Sequence, residues 1–275
     1  MTEQNKTFEF DENVASQLSR LFQTEPLRKL RHDYFAFFNV QPEDNVLDVG
    51  CGTGANALAL AEFLHDRCRI TGIDSSEPML AIARHQLTNS TYEDRITYDS
   101  GDAHRLPYKN STFDSAMMIQ VLEYSKEPIA LLRETMRVLK PGGKLFVADT
   151  DWDTIVWNSS FKERTRRIVL LWSDHEADGW QGRKIREYLI RSEFDQIRGE
   201  LFHMSETSFA EDTYAFQLTN LISDYLIRSE KMSAAEIQEW VEDLRAKNAL
   251  DHFYFSLNRY AFVARVPMHS GLKPG

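Results

Sequence analysis

The residues best suited to chemistry are Asp48 and the glycine series that follows it, Gly50-Cys51-Gly52-Thr53-Gly54. Alternating glycines let a ligand lie against main-chain N–H groups, because no side chain holds it away. A carboxylate ahead of the first glycine repels a pyrophosphate but welcomes a cation such as a sulfonium or an ammonium group. Asp74 follows the next apolar run, and a carboxylate at a strand end accepts two hydrogen bonds from the vicinal hydroxyls of a ribose. Asp102 follows a further short apolar run, where a lone aspartate is usually a turn former but is also a ready acceptor. The chemistry expected is therefore the binding of a nucleoside. Gly50, Gly52 and Ala55 also satisfy the dinucleotide pattern G-x-G-x-x-A with Asp74 about 20 residues on, so a nicotinamide-dependent oxidoreductase is a rival. A protein that holds the nucleoside without turnover is another.

Groups spaced in this way need an open α/β sheet to bring them to one edge. Residues 46–49 form an apolar run long enough for a buried parallel strand, and 55–64 follow with helical apolar spacing. Residues 68–73 predict a second strand, after which Pro78 opens a helix carrying Met79, Leu80, Ile82, Ala83 and Leu87. Further strands are predicted over 96–98, 113–119 and 144–149. The helix over 129–139 is stopped by Lys140-Pro141-Gly142-Gly143.

Val46-Leu47-Asp48-Val49-Gly50-Cys51-Gly52-Thr53-Gly54 resembles, over its whole length, the first motif of the class I S-adenosylmethionine-dependent methyltransferases. Gly101-Asp102-Ala103-His104-Arg105-Leu106-Pro107 is similar to the family's G-D-A-x-x-L-P segment. Phe113-Asp114 followed by Val121-Leu122-Glu123-Tyr124 resembles its F-D…V-L-E-H segment, with Tyr124 in place of the usual His. Val138-Leu139-Lys140-Pro141-Gly142-Gly143-Lys144-Leu145 is a further match, which the oxidoreductase alternative does not predict. The resemblance covers about residues 46–149 and fades beyond. It implies a Rossmann-like α/β fold with a seven-stranded, mostly parallel sheet of order 3-2-1-4-5-7-6 and helices on both faces. It also implies S-adenosyl-L-methionine as cofactor and a small-molecule methyl acceptor, as in ubiquinone-biosynthesis methyltransferases. In that frame Asp74 and Ser75 meet the ribose, Asp102 the adenine amino group, and the Ala103 N–H a ring nitrogen. Asp48, Gly50, Cys51, Gly52 and Gly54 form the loop, Met79 touches the cofactor, Gln120 meets its methionine end, and Arg31 its carboxylate.

The chain divides into cap helices over 1–44, a cofactor-binding core over 45–150, the rest of the sheet with inserted cover helices over 151–266, and a tail over 267–275. Cap helices are expected over 13–22 and from Pro26 to about residue 38. Later helices are expected over 208–228 and 233–247, the last opened by the capping box Ser233-Ala234-Ala235-Glu236. Strands over 194–204 and 252–266 complete the sheet. Methyl transfer requires a base only when the acceptor carries a proton, and His175, Asp151, Asp153, Glu123 and His32 are the candidates. Tyr34, Trp152, Trp157 and Trp180 are candidate acceptor contacts, since aromatic rings can wall an apolar, planar or cationic guest. The competing expectation is that the tryptophans pack cover helices and that His175 is a helix-surface residue.

The net charge of −10 argues against nucleic acid or an anionic membrane as the main partner. With 42% hydrophobic residues, a sizeable core can form, and disorder is expected only at the ends, including residues 1–7. The two cysteines, Cys51 and Cys68, read as reduced thiols of a cytoplasmic protein, monomer or homodimer. No apolar run approaches membrane-spanning length, and neither a metal motif nor a Gly-x-Ser-x-Gly elbow occurs.

Overall fold

The computed structural model describes residues 10–65, 68–175 and 177–268. The frayed start expected over 1–7 and the tail beyond Met268 lie outside them. The chain opens with α1 (Glu12–Phe22) and α2 (Glu25–Phe38), then alternates β1 (Asn45–Val49), α3 (Ala55–Phe63), β2 (Arg69–Asp74), α4 (Glu77–Thr88) and β3 (Ile96–Ser100). Next come β4 (Phe113–Ile119), α5 (Pro128–Val138) and β5 (Leu139–Thr150). The second half holds β6 (Val156–Trp157), α6 (Lys162–Ser173), α7 (Gln181–Arg191), β7 (Asp195–Glu206), α8 (Tyr214–Arg228), α9 (Ala234–Ala249) and β8 (Phe255–Arg265).

Strands β3-β2-β1-β4-β5 pair in parallel, and β8 joins β5 antiparallel, with Lys144 opposite Arg265 and Thr150 opposite Arg259. β7 pairs along the other edge of β8. The family order therefore holds, with one addition. After a short 3-10 turn (Trp152–Thr154), β6 returns to pair with Phe255 and Ser256, continuing the edge that β5 occupies. β5 also begins earlier than expected. Leu139 pairs with Phe113, and Lys140 to Gly143 bulge out before Lys144 meets Ser115. The Pro-Gly-Gly sequence thus ends α5 and kinks the strand without separating the two.

Side-chain alternation divides the core between two faces. Val46, Phe146 and Ala148 belong with Leu30, Phe35, Phe38 and Leu60, beneath α2 and α3. Leu47, Val49, Leu145 and Val147 belong with Leu132, Val138, Ile185 and Leu189 of α5 and α7. Each fully buried Leu or Phe contributes about 1.5–3 kcal/mol of transfer free energy. The expected cover helix over 208–228 starts only at Tyr214, capped by Thr213, and packs on α1 and α6. Among the described residues no helix is long and apolar enough to cross a membrane, and no three potential metal ligands come together.

Candidate functional site

The glycine loop leaves β1 with Gly50 at φ +67°, a conformation L side chains rarely adopt. The N–H groups of Gly50 and Cys51 both donate to the Ile73 carbonyl, at 2.8 and 3.1 Å, which ties the loop to the end of β2. A Cβ on Gly50 would lie 2.5 Å from Val121 Cγ2, so the loop is pressed against the exit of β4. Asp74 completes the turn. Its Oδ2 accepts the Gly52 N–H at 2.9 Å and its Oδ1 the Ser76 N–H at 2.8 Å. Burial pushes the Asp74 carboxyl upward, opposed by these backbone donors. Each oxygen keeps a further lone pair for a ligand.

A cavity of about 290 Å³ runs along this edge of the sheet. Of the residues singled out in the sequence, Gly50, Cys51, Gly52, Asp74, Ser75, Met79, Asp102, Ala103, Gln120, Glu123 and Trp152 line it. One end is polar and built from the loops after β1 to β3. The other is apolar, closed by Leu18, Leu21 and Phe22 of α1, by Trp152 and Trp172, and by Leu218 and Leu221 of α8.

The remaining sequence candidates stand away from the wall. Asp48 is fully buried under the loop, and neither carboxylate oxygen has a hydrogen-bond partner among the described residues. Burial, with Asp74 nearby, pushes its pKa well up and favours the neutral acid. The attraction for a cation expected from Asp48 is weakened accordingly. Gly54, at φ +77°, caps α3 against Tyr98. Arg31 donates from Nη2 to the Phe22 carbonyl at 2.6 Å, fastening α2 to the end of α1, and burial lowers its pKa to about 10. Tyr34 is core, its ring 5.2 Å from Phe146 and 4.9 Å from Phe202. Trp157 packs on Trp240 and Phe255.

Asp153 pairs with Arg183 at 3.0 Å on the outside, and Trp180 is half exposed beneath the Arg183 and Lys184 side chains. His175 stands behind the wall, its ring 3.8 Å from that of Trp172 and its Nδ1 bonded to the Trp172 carbonyl. Burial lowers its pKa to about 3, which makes it a weak base at neutral pH. These placements share one cause. Helical or aromatic character marks a residue as buried without saying whether it faces a cavity or a neighbour.

Two groups on the wall escaped the sequence reasoning. His104 Nδ1 meets Asp102 Oδ1 at 3.2 Å and its Nε2 meets Ser125 Oγ at 2.9 Å, joining the loop after β3 to the turn after β4. The His104 backbone N–H also donates to Asp102 Oδ1 at 2.8 Å and holds that carboxyl below the usual range. The Asp-x-His spacing was a legible signal for this turn. The second group has no local signal. Arg259 of β8 donates to the Thr150 and Tyr214 hydroxyls, the latter at 2.8 Å. The Thr150 hydroxyl donates to Gln120 Oε1 at 2.8 Å, and Gln120 Nε2 to Glu123 Oε1 at 2.7 Å. Gln120 sits at φ +58°, an uncommon conformation for this residue type, and this chain of bonds fixes its amide at the cavity.

The arrangement can hold a nucleoside at its polar end, with backbone donors and two carboxylates, and an apolar guest at the other. Residues 47–147 match a family model described as a methyltransferase domain. A demethylmenaquinone methyltransferase from Symbiobacterium thermophilum is 36% identical over 116 residues, which cover 42% of this chain and 46% of that one. The chain spans about half the length of the curated relatives it matches. Among solved structures, a Haemonchus contortus phosphoethanolamine N-methyltransferase 2 in complex with S-adenosyl-L-methionine superposes with a TM-score of 0.60 at 19% identity, covering 94% of this chain and 58% of that one. The [4+2]-cyclase SpnF superposes with a TM-score of 0.57 at 23% identity, covering 88% and 82%. At these identities the two structures bear on the fold alone.

Proposed function

We propose that the chain, which matches a methyltransferase-domain family model over residues 47–147, is a class I S-adenosylmethionine-dependent methyltransferase and that it methylates a small-molecule acceptor. The observation that carries this reading is the single cavity joining the Gly50–Gly52 loop, Asp74 and Asp102 to the apolar chamber under α1 and α8. The residues present suit the cofactor. Asp74 has lone pairs for a ribose diol, Gly50 and Gly52 put no side chain between ligand and backbone, and Asp102 with Ala103 offers an acceptor and an N–H to adenine. S-adenosylmethionine, when bound, supplies an electrophilic methyl on a sulfonium with a good leaving group.

The chain's own part is to orient the acceptor and keep the site dry. Trp152, Trp172, Leu218 and Leu221 exclude water from the apolar chamber. Glu123 alone of the candidate bases lies on the wall, held by Gln120, and is the group to take a proton from an acceptor that carries one. Calorimetry tests the cofactor assignment. S-adenosylmethionine and S-adenosylhomocysteine should bind, and nicotinamide dinucleotides should not. Asp74→Ala should weaken the former by about 1.5–3 kcal/mol, the range for bonds to a charged acceptor. Unchanged affinity in a folded Asp74→Ala protein would remove the assignment.

A further inference from the structure

Arg259 is a buried cation on the cavity wall that the reaction outlined above does not use. Its hydrogen bonds go to two neutral oxygens, those of Thr150 and Tyr214, and its Nε has no partner among the described residues. Glu123 and Asp149 lie within electrostatic reach, but its hydrogen bonds include neither. Asp149 is fully buried, and burial together with the nearby Glu123 pushes its carboxyl up, so the guanidinium has carboxylates within reach of its field but none, among the described residues, hydrogen-bonded to it. A guanidinium stays charged in proteins, and a buried charge without a close counter-ion is costly. The oxygen of Tyr214 accepts from Arg259, so its own proton is free to be donated.

The position of Arg259 across the sheet indicates which guest meets it. The groups suited to adenine, ribose and methionine follow β3, β2, β1 and β4 in turn, ending at Gln120. Arg259 is on β8, two strands beyond β4, or about 10 Å at the usual strand spacing. It shares the wall with Trp152, Trp172, Leu218 and Leu221, and its partner Tyr214 opens α8, the helix that carries both leucines.

We propose that the acceptor is a mainly apolar molecule bearing one anionic oxygen group, a carboxylate, phenolate or enolate, and that Arg259 with Tyr214 receives that group. This deepens the methyltransferase reading and rests on it. The guanidinium anchors the acid while the leucines and tryptophans cover the apolar body.

The test titrates benzoate, 1-naphthoate and octanoate, and their uncharged amides, into the protein saturated with S-adenosylhomocysteine. At least one acid should bind tenfold or more tighter than its amide. Arg259→Gln, titrated at S-adenosylhomocysteine concentrations that saturate the variant itself, should bring that ratio close to one, and Arg259→Lys should keep part of the preference. The ratio in the unaltered protein decides the matter even if Arg259→Gln does not fold. The proposal is overturned if no acid outbinds its amide, if 1-naphthylmethylammonium binds tighter than every acid, or if a folded Arg259→Gln protein keeps the full preference for acid over amide. Absence of S-adenosylhomocysteine binding in the unaltered protein counts against the methyltransferase reading instead. The acid and amide titrations without it then still decide for Arg259.

Discussion

At the scale of single residues, the site is governed by what cannot be added. Gly50 combines φ +67° with a 2.5 Å approach of Val121 to where a Cβ would be. Gly50→Ala should therefore destabilise the protein by about 1–3 kcal/mol, from backbone strain and overpacking together. It should also displace the backbone N–H groups beside the ligand. Thermal unfolding and cofactor titration of Gly50→Ala and of Gly50→Ala with Val121→Ala check this. The double variant should recover the packing part and leave the strain. A Gly50→Ala protein as stable as the parent would show that the loop is free to relax. Asp48 illustrates the opposite limit. A carboxyl with no hydrogen-bond partner among the described residues, placed under the loop, has its pKa pushed up by burial and by Asp74. The electrostatic pull read from its position in the sequence depended on an exposure the fold does not provide.

At the scale of elements, caps and turns set the frame of the cover. α9 starts with a capping box in which Ser233 Oγ accepts the Glu236 N–H at 3.3 Å and Glu236 Oε2 the Ser233 N–H at 3.1 Å. Ser233→Ala should cost about 1 kcal/mol of stability with no change in cofactor affinity, measured by denaturant unfolding and calorimetry. The turn after α6 holds His175 neutral against Trp172. Its folded pKa of about 3 lies below the ordinary 6.5, so the unfolded chain binds the proton more readily. Stability from this group is full above about pH 6.5 and is lost as the pH falls toward 3. Between pH 7 and pH 5 the loss should be about 2 kcal/mol, at 1.36 kcal/mol per pH unit below the unfolded pKa. His175→Phe should remove that part of the acid dependence in urea unfolding at a series of pH values. An unaltered dependence would place the titration elsewhere.

At the scale of the whole molecule, the cavity is a joint product of halves distant in sequence. The loops after β1 to β4 supply its polar end, while α1 from the start of the chain and α8 from its last third close the other. Binding to this folded arrangement should stabilise the protein by mass action. S-adenosylhomocysteine at a hundred times its dissociation constant should add about 2.7 kcal/mol. A dose-dependent rise in melting temperature checks it, and Asp74→Ala should shift the dose curve to higher concentration. No shift at saturating ligand in the parent protein would contradict binding to the native state.

The strand, glycine loop and helix around Asp48 and the carboxylates Asp74 and Asp102 were legible in the sequence for a physical reason. Each depends on groups contiguous in the chain, since main-chain N–H donors and strand-end acids are local properties. The strand order came with the family resemblance, since an apolar run buried on both faces marks a parallel strand without choosing its neighbours. What the sequence left open were the contacts made between distant elements. Arg31, Tyr34, Trp157 and His175 carried the right chemistry, but packing turned them toward Phe22, Phe146, Trp240 and Trp172. Asp153 pairs outward with Arg183 of α7, 30 residues on, and Trp180, the cap of that same helix, lies under Arg183 and Lys184. Arg259 reached the wall only because β8 runs antiparallel beside β5 and sets it opposite Thr150, 109 residues earlier. That register comes from the alternation of a whole strand between two cores, and no single motif encodes it.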